Sequence, residues 1–362
     1  MRWLFFLLVF PAILMDLSPA LSQGAAPAPT LVSSLHMADP QTFCGEPVPM
    51  DGQGIRERFE KEFLLSLWDR PQVILWLKRS TRYMPYIERM LKKNGLPDDL
   101  KYVAVAESAL RPHAGSMKGA VGFWQFMRHT GRKYGLTVDR RIDERRNLFA
   151  STQAAIRYFK ELYEEFGSWT LAAAAYNMGE TGLAAEILEQ QTEDYYALYL
   201  PLETQRFLFR ILSIKLILEN PQKYGFDLTD EDGYPPVQFD RVRIKAQKDL
   251  PIKTVARAAR TRFKVIKDLN PEIRGHYIPP GNHALLIPKG ASKGFHKRLK
   301  QLLALPASAR NEILYVVRKG DTLTAIADRF DVPLTALLIW NRINPKQHIH
   351  PGDRLIIYTG NQ

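Results

Sequence analysis

Hydrophobic residues recur at three- and four-residue steps through the first half of the chain. The stretches 55–68, 83–91 and 154–166 each bring apolar side chains to one face of a helix. Residues 54–222 contain no clear two-residue alternation of the kind that marks a half-buried strand. The pattern therefore predicts an all-helical domain over residues 54–225.

The pattern changes after Tyr224, where short strand-like runs flank helical segments and an internal repeat emerges. Each copy is predicted to run strand, helix, helix, strand, with a Pro-Gly turn before the last strand. The expected fold class is multidomain: the helical domain, then two small βααβ modules at residues 238–289 and 311–360, joined by a basic connector at 290–310. A shift of 71 residues superposes Ile252 on Leu323, Val255 on Ile326, Asn270 on Asn341 and Pro280-Gly281 on Pro351-Gly352.

The N-terminus carries an apolar run at residues 3–14, preceded by Arg2. The run is shorter than the ~20 apolar residues that a spanning helix needs, and its size suits a signal peptide. We expect a signal peptide over residues 1–22, cleaved after small residues, and then a flexible leader over 23–53. An uncleaved anchor is the alternative. The mature protein is expected to be exported, to the periplasm or the cell envelope.

Composition and charge narrow the possible partners. Hydrophobic residues make up 46% of the chain, which excludes a mostly disordered protein. The single cysteine, Cys44, excludes an internal disulfide framework and a cysteine-based zinc site. Fifty Lys and Arg against 38 Asp and Glu give a formal charge of +12, which favours an anionic partner. An exported protein does not normally meet nucleic acid, so the expected partners are anionic cell-wall polymer and an anionic membrane surface. The sequence does not indicate an oligomeric state.

The candidate chemistry begins at Glu107, the only acid in the second half of the apolar stretch 100–110. Pro112 breaks this helix, so Glu107 lies near the negative end of the helix dipole among apolar neighbours. Both effects oppose ionisation and predict a raised pKa, as a general acid for glycosidic cleavage requires. The alternative is an acid that simply reaches solvent at the end of the helix.

Two further segments offer polar and aromatic groups. Residues 114–127 form a loop with three glycines that ends in an aromatic stretch, where Phe123 and Trp124 could serve as sugar platforms or as core. Gln125 can both donate and accept hydrogen bonds. Residues 169–179 predict a tightly packed helix of small residues that ends in the polar pair Tyr176-Asn177.

The order of these segments resembles a known family. The series Glu107-Ser108, Ser116, Gly122-Phe123-Trp124-Gln125 and Ala175-Tyr176-Asn177 is similar to that of lytic murein transglycosylases with the lysozyme-like, goose-type fold, in particular the membrane-bound D type. The two repeats resemble LysM modules that bind peptidoglycan. The second copy, with Trp340-Asn341 at its middle, is the better match. The first is degenerate, with Asp249-Leu250-Pro251 in place of Gly320-Asp321-Thr322.

The resemblance implies roles for individual residues. Glu107 would act as the single acid/base that cleaves the bond between N-acetylmuramic acid and N-acetylglucosamine and forms a 1,6-anhydro sugar. Substrate-binding residues would be Ser116, Gly122, Phe123, Gln125, Tyr176 and Asn177. In the second LysM module, glycan-binding residues would be Gly320, Asp321, Thr322 and Asn341. Asp321 and Thr322 could instead only cap a helix.

Three functions remain open at this stage. The first is a lytic transglycosylase on peptidoglycan, which needs only one carboxylate because the substrate supplies the nucleophile. The second is a hydrolytic muramidase, which by the usual route needs a second carboxylate. The third is a non-catalytic peptidoglycan-binding protein. No cofactor and no metal are expected, since the eight histidines are scattered and no His-Glu-x-x-His helix occurs.

Overall fold

A computed structural model describes residues 29–36, 41–305, 312–344 and 348–358. The predicted signal peptide lies outside these residues. In chain order the helices are α1 Leu31–His36, α2 Gln53–Trp68, α3 Arg70–Lys93, α4 Lys101–Ser108, α5 Arg128–Lys133, α6 Leu148–Phe166, α7 Trp169–Met178, α8 Glu180–Gln190, α9 Leu202–Glu219, α10 Ile252–Ala258, α11 Phe263–Leu269, α12 Phe295–Ala304, α13 Leu323–Arg329 and α14 Leu334–Asn341.

The strands form two-stranded antiparallel sheets, which pair β1 with β2, β3 with β6, β4 with β5 and β7 with β8. The β3–β6 pair is the longest and runs from Phe239 opposite Pro288 to Ala246 opposite Gly281. The strands are β1 Thr42–Phe43, β2 Glu46–Pro47, β3 Phe239–Ala246, β4 Leu250–Pro251, β5 Tyr277–Ile278, β6 Gly281–Pro288, β7 Glu312–Val316 and β8 Arg354–Tyr358.

The first domain is helical, as the periodicity predicts. Its core forms around α9, which packs against α2, α4 and α7. Four successive alanines of α7, residues 172–175, are almost fully buried, because side chains this small let neighbouring helices approach closely. Asn147 caps α6 by accepting the N–H groups of Phe149 and Ala150, and Gly167 ends it in the left-handed conformation. None of the helices in the described ranges is both long and apolar enough to cross a membrane.

The segment predicted as a flexible leader is in part folded. Residues 42–47 form the β1–β2 hairpin, and Phe43 at its start is completely buried in the core of the helical domain. The backbone N–H of Cys44 donates to Asp99 at 2.7 Å, which ties the hairpin to the turn before α4. The prediction of a flexible leader is therefore wrong for these residues, because a buried aromatic side chain anchors them.

The repeat after residue 238 places an asparagine with the same hydrogen bonds in each copy. In the first copy the Asn270 side chain donates to the carbonyls of Ile266 and Leu286 and accepts the N–H of Leu286. In the second copy Asn341 makes the equivalent bonds to Leu337 and Ile356. Each asparagine therefore joins the second helix of its copy to the last strand.

The basic connector predicted at residues 290–310 contains helix α12, which packs against α10. Phe295 is completely buried and Leu299 nearly so, within the core of the first module. The Arg298 guanidinium donates to the carbonyl of Ala258 on α10 at 2.6 Å. Residues 295–304 are thus part of the module rather than a solvated linker, because their apolar side chains fill its core.

Candidate active site and glycan-binding sites

Glu107 lies on the last turn of α4, where the chain bends sharply. The next two residues after Ser108, Ala109 and Leu110, both take the left-handed conformation, with φ of 51° and 57°. The Ser108 hydroxyl lies close to the carbonyls of Ala104 and Phe123, at 3.0 and 2.8 Å, and holds the helix end against the glycine-containing loop. This arrangement confirms the predicted break and fixes Glu107 at the end of a helix.

Burial raises the pKa of Glu107 to about 8, so the group holds its proton at neutral pH. The positive charge of Arg210 opposes this rise, and the negative charge of Glu203 adds to it. Within the described residues, no hydrogen bond ends on the Glu107 carboxyl, and its side chain is partly exposed. A protonated and accessible carboxyl is the state from which a general acid works.

An ion-pair network on α2 and α9 adjoins Glu107, and no motif in the sequence analysis predicts it. Arg206 pairs with the buried Glu62 at 2.6 Å, and Arg210 pairs with Glu203 at 3.0 Å. Arg210 also lies 3.7 Å from Glu62. Glu62 is 144 residues away from Arg206 in sequence, so no local pattern indicates that the two residues meet.

Tyr176 and Asn177 both lie near the end of α7, as predicted, but they have different partners. The Tyr176 hydroxyl donates to the carbonyl of Trp124 at 2.6 Å, and its ring stacks on Phe159. Burial, with the charge of Glu107 as a smaller cause, raises the pKa of Tyr176 well above its ordinary value. The Asn177 side-chain oxygen accepts from the Thr204 hydroxyl at 2.9 Å, which joins α7 to α9.

Gln125 and Ser116 lie in the loop that follows α4. The Gln125 side-chain nitrogen donates to the carbonyls of Ala114 and Gly122 at 3.2 and 2.9 Å, which fixes the amide in one orientation. Its backbone has a φ of 46°. Ser116 is exposed, and its hydroxyl accepts the N–H of Ala120 at 3.1 Å. The loop thus holds both side chains, with Ser116 exposed and Gln125 half-buried.

Phe123 and Gly122, both predicted to bind substrate, are closely packed in the helical domain. Phe123 is only 2% exposed and meets the Tyr83 ring edge-on, so it offers no face to a sugar. Gly122 has a φ of +89°, and a Cβ there would lie 1.8 Å from the carbonyl oxygen of Arg145. Trp124, the other candidate platform, is completely buried and donates to the Thr152 hydroxyl.

Other acids near the motifs in sequence are already engaged. Asp143 is buried and forms a two-point ion pair with Arg145, both contacts at 2.8 Å. The Glu180 carboxylate accepts from the Tyr158 hydroxyl at 2.8 Å. Across the described ranges, no group of three His, Cys, Asp or Glu side chains is arranged to hold a metal ion.

Three of the four candidate glycan-binding residues of the second module make hydrogen bonds within the module. The Asp321 carboxylate accepts from the Tyr315 hydroxyl and from the backbone N–H of Arg318, both at 2.7 Å. The Thr322 hydroxyl caps α13 through the N–H of Ala325. Asn341 is held by the backbone contacts described above, whereas Gly320 is exposed with open space around it.

Sequence profiles of three known domains match the chain. The transglycosylase SLT domain matches residues 84–199, which include Glu107, Tyr176 and Asn177. A LysM-like domain described for the lytic transglycosylase MltD matches residues 238–304 and thus includes α12. The LysM domain matches residues 315–357. The chain therefore has a helical SLT domain followed by LysM-type modules.

The chain is also similar to individual known proteins. The chain is 31% identical over 296 residues to membrane-bound lytic murein transglycosylase D of Escherichia coli, covering 78% of this chain and 64% of the relative. It thus spans a little under two thirds of that relative. Among solved structures, the 70 kDa soluble lytic transglycosylase of Escherichia coli aligns at 17% identity with a TM-score of 0.34 over 50% of this chain and 32% of its own.

Proposed function

We propose that this chain, which carries a transglycosylase SLT domain and LysM-type modules and resembles the lytic murein transglycosylases of the D type, is a peptidoglycan lytic transglycosylase. It cleaves the β-1,4 bond between N-acetylmuramic acid and N-acetylglucosamine with Glu107 as general acid and base. The observation that carries the proposal is Glu107 at the bend after α4, where burial raises its pKa to about 8 inside the region that matches the SLT domain.

The proposed reaction has two proton transfers. In the first, the Glu107 carboxyl donates its proton to the bridging oxygen as the bond from C1 of the muramic acid breaks. In the second, the resulting carboxylate accepts the proton of the C6 hydroxyl of the same sugar while that oxygen bonds to C1. The products are a 1,6-anhydro sugar and a free hydroxyl on the departing N-acetylglucosamine, and Glu107 regains its proton without consuming water.

The surroundings of Glu107 suit both steps. Low exposure keeps the acid protonated before cleavage, and the nearby Arg210 lowers the cost of the transient carboxylate afterwards. The Tyr176 hydroxyl, whose pKa is raised by burial and by the nearby Glu107, stays protonated and donates to the Trp124 carbonyl. Its oxygen can still accept a hydrogen bond from the substrate. Gln125, Ser116 and Asn177 are proposed to contact the sugars and their N-acetyl groups.

The state of the neighbouring acids favours transglycosylation over hydrolysis. A hydrolytic muramidase needs a second carboxylate as nucleophile or base. Asp143 and Glu62 are buried in ion pairs with arginines. Glu203 is the acid that raises the pKa of Glu107, yet it also pairs with an arginine, Arg210. A reaction in which the substrate supplies the attacking oxygen requires none of them.

The LysM-type modules are proposed to bind glycan strands and raise the local concentration of substrate. Both proposed modules have a helix pair beside an antiparallel strand pair, β3–β6 and β7–β8. In the second module the loop at residues 320–322 is the proposed contact, with Gly320 presenting backbone and Asp321 and Thr322 holding the loop in shape. An envelope location follows from the murein substrate.

Product analysis tests the proposal directly. Purified peptidoglycan is digested with the wild type and with Glu107→Gln, and the muropeptides are examined by mass spectrometry. We expect wild-type products that are lighter by one water at the muramic acid end and a loss of roughly three orders of magnitude or more in rate for Glu107→Gln.

Two other results would decide against the proposal. Ordinary reducing ends from the wild type would identify a hydrolase and direct attention to Glu203. Intact binding to sacculi without any product from the wild type would identify a non-catalytic wall-binding protein. A thermal melt of Glu107→Gln controls for folding.

A further inference from the structure

A cavity of about 610 Å³ lies where the helical domain and the two LysM-type modules meet. It is separate from the Glu107 site and shares no lining residue with it. The helical domain contributes Arg140 and Arg141, the first module Arg274 and Tyr277, and the second module Leu338 and Arg342.

Four arginines around one cavity leave a net positive charge. Arg141 of the helical domain and Arg342 of the second module both pair with the single carboxylate of Asp249 in the first module, Arg141 at 2.8 Å. In the described parts of the chain neither Arg140 nor Arg274 forms an ion pair, and the Arg274 guanidinium makes one long hydrogen bond, to the backbone carbonyl of Asp139 at 3.5 Å. Arg141 and Arg342 are therefore engaged by Asp249, whereas the guanidinium groups of Arg140 and Arg274 are available to bind an anionic ligand.

A further acid beside these arginines, Asp139, does not cancel their charge. Asp139 accepts the backbone N–H groups of Arg141 and Ile142, at 2.6 and 2.7 Å, and both bonds end on the same carboxylate oxygen. Even with its charge counted beside that of Asp249, four arginines exceed two acids. The excess of two charges lies at a cavity wide enough for several residues of an extended peptide.

The other walls of the cavity favour a peptide over a sugar. Leu338, Ile339 and Ile343 supply apolar surface, which suits small aliphatic side chains. The Arg342 guanidinium lies over the ring of Tyr277 at 4.1 Å from its centre, so that face is not open for stacking on a pyranose.

We infer that this cavity binds the carboxylates of the peptide stems that branch from peptidoglycan strands. The inference rests on the proposed function, because it names a second part of the same substrate. Guanidinium groups match planar carboxylates in two-point contacts, and a stem combines such carboxylates with alanine methyl groups. A strand held by the modules and the catalytic domain would bring its stems past the cavity between them.

Binding of the isolated stem tests this inference without any cleavage. The full chain is titrated with a fluorescent tetrapeptide, L-Ala-γ-D-Glu-meso-diaminopimelate-D-Ala, labelled at its N-terminus, and anisotropy is recorded. We expect saturable binding that weakens at least about tenfold in R140A/R274A, because two charge-assisted contacts are lost. The same peptide with amidated carboxyl groups is expected not to bind.

A matched variant separates a site from general charge. R243A/K245A removes two positive charges from exposed positions on β3 outside the cavity and is expected to bind the tetrapeptide within about twofold of the wild type. Equal weakening in both double variants would overturn the inference, as would unchanged binding in R140A/R274A. Thermal melts of both variants confirm folding.

Two more measurements separate the possible failures. Cleavage of glycan strands stripped of their stems reports the proposed activity alone: cleavage without tetrapeptide binding overturns the inference and leaves the function intact. Tetrapeptide binding without cleavage supports the site and contradicts the enzymatic proposal. Binding to phosphatidylglycerol vesicles in place of the tetrapeptide, lost in R140A/R274A, would overturn the inference in favour of lipid phosphate.

Discussion

At the scale of single residues, burial raises the pKa of Glu107, and two charges of opposite sign on α9 modify that rise. Glu203 raises the pKa of Glu107 and Arg210 lowers it, and the two pair with each other at 3.0 Å. The acid step needs the protonated carboxyl, so activity falls as pH rises through this pKa. Any change that lowers the pKa moves that alkaline limb to lower pH.

Glu203→Gln provides a test of this coupling. It removes the charge that raises the pKa of Glu107 and leaves Arg210 without its partner, so both effects lower the pKa. The alkaline limb of kcat/KM is expected to move down by about half a pH unit, measured on soluble glycan strands. Glu164→Gln, at an exposed position on α6, should leave the profile unchanged. A loss of activity beyond about 100-fold with no shift would instead identify Glu203 as a second catalytic carboxylate.

Gly122 is constrained by space as well as by conformation. Gly119 and Gly122 share a φ of +89°, but a Cβ at Gly119 meets nothing within 4 Å whereas one at Gly122 lies 1.8 Å from Arg145. Gly122→Ala is therefore expected to lower the free energy of unfolding by about 3 kcal/mol or more, and Gly119→Ala by about 1 kcal/mol. Urea unfolding measures both, and equal losses would contradict the packing argument.

At the scale of elements, the helix that bears Tyr176 and Asn177 is capped from outside its own segment. The Glu46 carboxylate, on β2, accepts the N–H groups of Trp169 and Thr170 at 2.5 and 2.9 Å, at the start of α7. A carboxylate at this end also interacts favourably with the helix dipole. The hairpin thus stabilises the element that presents Tyr176 to the Glu107 site.

Glu46→Ala tests this contact. The two N–H groups lose a charged acceptor, so we expect a loss of about 1–2 kcal/mol in the free energy of unfolding, measured by urea denaturation. Glu46→Gln keeps an acceptor oxygen and is expected to lose less. A wild-type midpoint for Glu46→Ala would show that water replaces the cap without cost.

At the scale of the whole molecule, the proposed glycan binding and the proposed cleavage fall on separately packed units. The second LysM-type module has its own core, which includes Tyr315, Ile326, Leu337 and Ile357. It contacts the first module through polar links such as the Tyr277 hydroxyl bonded to the Trp340 carbonyl at 2.6 Å. Removal of the module therefore leaves the core of the helical domain intact.

Deletion of residues 311–362 tests whether the two activities separate. We expect binding to sacculi to weaken several-fold more than the cleavage rate on short soluble glycans, because avidity is lost while Glu107 and its neighbours remain. Pelleting assays and product quantification provide the two measurements. Equal losses in both would count against independent units, and a melt of the truncated chain shows whether the helical domain remains folded.

The sequence alone determined what short-range patterns encode. Three- and four-residue periodicity predicted the helical domain, and the 71-residue repeat predicted that LysM-type modules follow it. The apolar stretch broken at Pro112 predicted the raised pKa of Glu107. Each of these depends on neighbours within a few turns or on a regular spacing, so it is visible along the chain.

Only the tertiary structure decided the roles that depend on distant partners. Asn341 joins a helix to a strand, Phe123 packs in the core, and Glu62 pairs with Arg206 from 144 residues away. The hairpin at residues 42–47 is folded because the Phe43 side chain packs in the core of the helical domain. Burial and hydrogen-bond partners are set by which segments pack together, and spacing along the chain does not specify that.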